Sequence, residues 1–332
     1  MPKVTPLYDR SDRSTALENV THLNRRLLRL RNTLWAKTGA RTASPPTQVR
    51  FQFLPTEEPM DSQRWLRLVE EVPSGALLHL EGPELFQEKS FHAILMAADR
   101  RELEISVSVD AADLEEHAPE LYGLGVSQVR TVLYGPEAIH NERAGSAGAF
   151  EFAARGALAL KGLAYGSSTP ELVVEIPILP ANASLLLKTA ECAFAMGADR
   201  VVILHVAAGR DSSAGAIDPD VVNSQALSIS ARWRRGAVRF FPALESDLVR
   251  RLYNGGPEAV VLRRCIAPWK SVTVTSAGKV LLCDVSIGDA KEATLTTLYN
   301  SDSARAFRHG MRKRRGDLCK GCLASFSQRR LP

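Results

Sequence analysis

From Gln48 onward, short apolar runs alternate with helical patterns, and this alternation restricts the fold more than any other feature. The segments Val49–Leu54, Ala76–Leu80, Leu103–Val109, Val129–Tyr134, Leu172–Leu179 and Arg200–Val206 have the length and branched-residue content of buried strands. Between them, Ser62–Val72, Phe91–Arg100, Ala112–Leu124, Ser146–Leu163 and Ser184–Met196 carry helical periodicity. Such alternation builds a parallel sheet with helices outside it, either a barrel or an open doubly wound sheet. Pro219 to Tyr253 continue with mixed strand and helix patterns.

Parallel strands covered on both faces normally read as unbroken Val, Ile and Leu. Here polar residues recur two apart: Arg50 and Gln52, His79 and Glu81, Ser106 and Ser108, with Glu175 and His205 in later strands. Side chains two apart share a face. Gln52, Glu81, Ser106, Ser108, Glu175 and His205 are therefore candidate substrate-binding residues lining a polar lumen at the C-terminal strand ends. The plainer alternative places several of them in polar crevices under the helices. Glu175 and His205 read either as an acid–base pair or, more simply, as partners in structural hydrogen bonds.

Three segments follow from composition. Residues 1–46 look like an appendage: Asp12–Ser14 cap a helix from about Thr15 to Ala36, and Lys37 to Thr47 has the Gly, Ser and Pro content of a linker. Residues 47–255 form the β/α body and 256–332 a small C-terminal domain. No apolar stretch is long enough to span a bilayer, and the Asp-, Arg- and Ser-rich start lacks a signal-peptide core, so a cytoplasmic protein with no membrane partner is expected. Net charge is +5, much of it in Arg25–Arg31 and Arg305–Arg315. Neither run has the regular aromatic interleaving of a base-stacking platform, so both read as solvated faces and nucleic acid is not an expected partner. No Gly-rich phosphate loop, Ser-His-Asp order or zinc-protease motif is present.

Cysteine placement carries the chemistry. Cys192 lies in an apolar helical stretch and reads as a small hydrophobe. The other four follow the pattern Cys265-x17-Cys283-x35-Cys319-x2-Cys322. Ser271–Thr275, the turn Ser276-Ala277-Gly278 and Lys279–Leu282 form a strand–turn–strand unit between the first two, which lets them meet. The Cys319–Cys322 pair closes the set after a helix from about Leu295 to Arg312. Four converging thiolates suit zinc or an iron–sulfur cluster, and spacing alone leaves both open.

The order Cys265, Pro268–Trp269, Gly278, Cys283, Tyr299–Asn300, Phe307–Arg308, Cys319–Cys322 closely resembles the twitch or SPASM extension of radical S-adenosylmethionine (SAM) enzymes. That resemblance implies one auxiliary 4Fe–4S cluster on Cys265, Cys283, Cys319 and Cys322, with Zn2+ as the alternative. It also implies a partial (β/α)6 TIM-like barrel of the radical SAM type. Glu81-Gly82-Pro83-Glu84 stands where the family has its Gly-Gly-Glu-Pro loop for the SAM amino group, and Leu133–Leu160 resembles the stretch after the fourth strand. The CxxxCxxC motif expected just after the first strand is missing: Leu54-Pro55-Thr56-Glu57-Glu58-Pro59-Met60 holds no thiol. Carboxylates do not replace three thiolates on a cluster. A degenerate radical SAM protein is therefore expected, one that binds SAM weakly or not at all and does not cleave it on its own. It would serve a catalytic radical SAM enzyme, or a peptide or protein substrate, as a presenting or electron-relay subunit. A stand-alone non-radical enzyme and a zinc-stabilised binding module are the alternatives.

Overall fold

The computed structural model describes residues 27, 30, 45–167, 169–205, 216–234, 236–243, 245–255 and 267–313. Leu27 and Leu30, within the expected N-terminal helix, are helical; the rest of that helix lies outside the described residues, as do Cys265, Cys319 and Cys322. The described residues fall into two compact units, one holding 45–108, 120–127 and 267–313, the other holding those within 109–119 and 128–255.

The first unit is built on strands β1 (Gln48–Gln52), β2 (Leu77–Glu81) and β3 (Glu104–Ser108), paired in parallel. It also holds β8 (Ser271–Thr275), β9 (Lys279–Leu282) and β10 (Val285–Asp289), giving the order β10-β9-β8-β1-β2-β3. β8 runs parallel to β1 with Gln48 opposite Ser271 and Gln52 opposite Thr275. The Ser276 hairpin thus extends the sheet of the β/α body. The sequence gives no hint of this, because the pairing joins segments more than two hundred residues apart. β10 was likewise not expected; it pairs antiparallel with β9.

One face of this sheet is apolar. Val49, Phe51, Phe53, Leu78, Leu80, Ile105, Val107, Val272 and Val274 alternate onto it, each 0–1% exposed. Helices Ser62–Glu71 and Phe91–Arg100 bury their own apolar stripes, and the Trp65 ring lies 4.8 Å from Phe51 and 5.1 Å from Phe53. The Asp61 carboxylate caps the first of these helices by accepting from Arg64 N at 2.7 Å. Arg64 then ties the helix to the C-terminal segment, donating to the carbonyls of Ala290 and Ala293.

In the second unit β4 (Gln128–Val132), β5 (Glu171–Pro177), β6 (Arg200–Leu204) and β7 (Val238–Phe241) pair in parallel in that order. Helices Ala149–Leu163, Leu186–Ala195, Pro219–Arg232 and Ser246–Gly255 belong to it. The six expected strands all occur, with ends within two residues of those read from the sequence. The helix expected from Ser146 begins at Ala149, and an unforeseen helix, Glu137–Ala144, precedes it and ends on Gly145 at φ 69°. The fold is α/β, a parallel sheet with covering helices, and among the described residues the sheet of neither unit closes on itself. Among the described residues no helix is long and apolar enough to cross a membrane.

Candidate metal centre and polar sheet face

Cys283 sits with Asp284 at the apex between β9 and β10, where Leu282 pairs with Val285. Its thiol-bearing residue is exposed, and its backbone takes φ 55°. An L-residue with a side chain pays roughly 1–2 kcal/mol for the left-handed region, which glycine avoids. A cysteine at a position that favours glycine points to a use for the sulfur. The expectation placed Cys283 at the end of the Ser276 hairpin; the second hairpin instead presents it at a tip.

The same unit holds a buried cation. The helix expected from Leu295 to Arg312 is broken into Leu295–Tyr299 and Asp302–Lys313, because Ser301 Oγ accepts from Ala304 N at 3.2 Å and starts a new helix. The second helix carries Arg308 inward, where it is 0% exposed. Its Nε donates to Pro268 O at 2.9 Å, and the Tyr299 hydroxyl donates to the same carbonyl at 3.3 Å. The guanidinium lies 4.3 Å from the centre of the Tyr299 ring. Its Nη1 and Nη2 are buried and find no hydrogen-bond partner among the described residues. Burial lowers the Arg308 pKa from its ordinary value and pushes the Tyr299 phenol up; Arg308 opposes the latter shift and Cys283 adds to it. Cys283 and Arg308 thus lie within electrostatic reach of one buried phenol. A thiol on a hairpin tip and a buried guanidinium with two unused donors fit an anionic, thiolate-bound metal group.

The loop from Leu54 to Met60 is held at both ends by the hairpin turn. Leu54 N donates to Ser276 Oγ at 2.8 Å, Met60 N donates to Ser276 O at 2.8 Å, and Ser276 N donates to Gln52 O at 3.0 Å. Between these anchors, Pro55, Glu57, Glu58 and Pro59 are exposed, and Lys291 Nζ donates to Glu58 O at 3.2 Å. The loop after β2 crosses the backbone of Phe53. Gly82 has φ 129°, and a Cβ placed on it would lie 2.1 Å from Phe53 O.

The polar residues of the first unit share the sheet face opposite the apolar one. Arg50 is opposite Thr273 and His79, Gln52 is opposite Thr275 and Glu81, and His79 is opposite Ser106. His79 Nε2 lies 3.1 Å from Glu81 Oε2 and 3.3 Å from Ser108 Oγ, and Arg50 Nη1 is 3.4 Å from Glu81 Oε1. The structure thus gathers Gln52, Glu81, Ser106 and Ser108 on one face, together with Arg50 and His79. Ser106 is 1% exposed, whereas Gln52, Glu81 and Ser108 are half-buried.

In the second unit, Glu175 and His205 do not meet. Glu175 is opposite Val132 and Val202 and accepts from Arg130, a residue the sequence reading passed over. His205 follows Val201 and Ile203 in the alternation and shares their buried face; it is 4% exposed. Its Nδ1 lies 2.9 Å from the Tyr253 hydroxyl, and burial pushes its pKa down to about 4. The pair reading for Glu175 and His205 gives way to two separate structural contacts. Because the folded pKa is depressed, the neutral ring's contribution to stability is complete above the unfolded value near 6.5. It is lost as pH falls toward 4, at up to about 1.4 kcal/mol per pH unit. Denaturant midpoints measured at pH 7 and pH 5 are expected to differ less for His205→Gln than for the parent. An unchanged difference would mean that His205 does not titrate this way. Cys192 is half-buried, with its thiol pKa raised chiefly by burial.

Comparison with known proteins adds the following. Residues 265–323, which contain all four C-terminal cysteines, match the SPASM family, an iron-sulfur cluster-binding domain. SuiB of Streptococcus suis bound to S-adenosylmethionine is similar at TM-score 0.60 and 12% identity, over 97% of this chain and 77% of that one. SuiB bound to its precursor peptide SuiA gives TM-score 0.56 at 12% identity, over 96% and 80%. The protein anSMEcpe with bound AdoMet and Cp18Cys peptide gives 0.54 at 15% identity, over 84% and 88%. No curated protein matches by sequence. The α/β fold resembles that of SuiB and anSMEcpe, and residues 265–323 match an iron-sulfur cluster-binding SPASM domain.

Proposed function

We propose that this chain is an iron–sulfur protein of radical SAM architecture that does not cleave SAM by itself and acts as the auxiliary partner of a radical SAM modification system. The observation that carries the reading is the Leu54–Met60 loop. It occupies the place after β1 where the family holds three cysteines, offers no thiol, and is anchored at both ends to Ser276. On this reading Cys265, Cys283, Cys319 and Cys322 hold one 4Fe–4S cluster, which supplies one-electron transfer. The polar face around Gln52, Glu81, Ser106 and Ser108 receives a peptide or small molecule. SuiB and anSMEcpe have been seen with peptides bound, and that favours a peptide as the molecule presented.

The test is analytical. Protein purified without oxygen is expected to be brown and to contain iron and sulfide at about 4 each per chain, the content of one cubane. About 8 of each would place a second cluster in the chain and overturn the reading of the loop. A colourless zinc protein would favour a binding module. Calorimetry is expected to show no tight SAM binding, and a low-micromolar dissociation constant would defeat that part of the proposal. The cluster of Arg50, His79, Glu81 and Ser108 favours a second reading, a stand-alone enzyme with non-radical acid–base chemistry; turnover without any partner would support it.

A further inference from the structure

We propose that Arg308 sets the reduction potential of the auxiliary cluster, placing a buried positive charge and two unused N–H donor groups against the thiolate-bound iron. The inference rests on the iron–sulfur reading above and goes beyond it, since the family match assigns no role to this arginine.

A fully buried guanidinium is costly to desolvate unless its charge and its donors are met. Arg308 is 0% exposed; its Nε donates to Pro268 O, Tyr299 shares in its hydrogen bonding, and Nη1 and Nη2 find no partner of good geometry among the described residues. The Tyr299 face contributes a cation–π contact at 4.3 Å, which meets the flat side of the group and leaves the N–H edges unmet. What remains required is an anion with acceptors at those edges. Pro268, whose carbonyl accepts from Arg308, stands three positions after Cys265, the first expected ligand, in the chain. Tyr299, packed on the arginine, lies within electrostatic reach of Cys283, the second.

A cluster held by four thiolates is anionic, and it becomes more so on accepting an electron. A fixed cation in a low-dielectric setting therefore stabilises the reduced form more than the oxidised one, and hydrogen bonds to the sulfurs act in the same direction. Arginine suits this position better than lysine, because it keeps its charge when buried and presents fixed donors. Arg308 thus makes the cluster easier to reduce, as an electron relay requires.

Redox titration of the anaerobically purified, full-length protein, followed by EPR, tests this. Arg308→Met is expected to keep its iron and to disfavour the reduced state by about tenfold, a fall of ~59 mV for one electron. Arg308→Lys, which keeps the charge but not the fork, is expected to recover part of that shift. An Arg308→Met protein with full iron and an unchanged potential overturns the role of Arg308 and leaves the cluster reading intact. Wild-type protein with no iron–sulfur absorption overturns both. Should neither variant retain the cluster, wild-type protein grown with 15N-arginine decides the question. A nitrogen hyperfine coupling in the reduced EPR signal supports the contact, and its absence overturns it.

Discussion

Replacing Cys283 is expected to strip most of the iron from the protein while leaving the hairpin that carries it intact. The two effects separate through the choice of substitute. Cys283→Ala removes the sulfur but keeps a side chain at φ 55°, whereas Cys283→Gly removes both the sulfur and the cost of that conformation. Without metal, the glycine variant should be at least as stable as the parent, by up to about 1 kcal/mol. With metal, both variants should fall well below the parent content of about 4 iron per chain. They should also lose the stability that the bound cluster adds, since sites of this kind couple metal binding to folding. Iron content and melting temperature, measured with and without reconstitution, read the two effects apart. Full iron in either variant would remove Cys283 from the ligand set, and a glycine variant less stable than the metal-free parent would show that the tip needs its cysteine for packing.

Gly82→Ala is expected to be among the most destabilising single-methyl additions in the chain. A Cβ there would lie 2.1 Å from Phe53 O, 2.7 Å from Phe53 C and 2.8 Å from Phe53 N, so it meets backbone rather than a side chain that could swing away. Phe53 N donates to Glu81 O at 2.8 Å and Glu84 N to Phe53 O at 3.3 Å, so neither strand end moves away without breaking the links that hold the loop. The φ of 129° adds conformational strain to the clash. Together they should cost on the order of 3 kcal/mol or more, a large share of a typical domain's stability. Gly310→Ala is the control. It lies within the helix Asp302–Lys313 in the same unit, its added Cβ meets nothing within 4 Å, and a helical glycine-to-alanine change is stabilising by up to about 1 kcal/mol. A Gly82→Ala protein that melts with the parent would mean that the β2 loop does not cross β1 as closely as described.

The glycine also shows why the Glu81–Glu84 loop was only half legible. Its sequence placed it after the second strand, and its resemblance to a SAM-binding loop was partial. That Gly82 is fixed by the backbone of Phe53, twenty-nine positions earlier, emerges only when β1 and β2 lie side by side. Here the glycine serves chain packing, whatever the loop binds.

What the sequence determined by itself was everything carried by local period and local chemistry. Runs such as Leu172–Leu179 and helices such as Phe91–Arg100 declare themselves because burial imposes a period of 2 or 3.6 on neighbouring residues. The four C-terminal cysteines and the thiol-free loop after β1 are likewise plain in the order of residues. Tertiary structure decided what depends on register and on distant partners. His205 looked like a lumen residue until the pairing of β5 with β6 fixed which alternation it follows, and one step of that count places it under the helices. The parallel pairing of β8 with β1 has no local signature, because both strands are ordinary apolar runs and the hydrogen bonds between them join opposite ends of the chain. In sequence Arg308 reads as one charge of a basic run and as half of a Phe-Arg pair in the SPASM-like pattern, with no sign of where its side chain goes. It became a buried cation only because Ser301 restarts the helix and turns that side of it toward Tyr299 and Pro268, and no pattern of charges along a chain records which of them the folded protein removes from water.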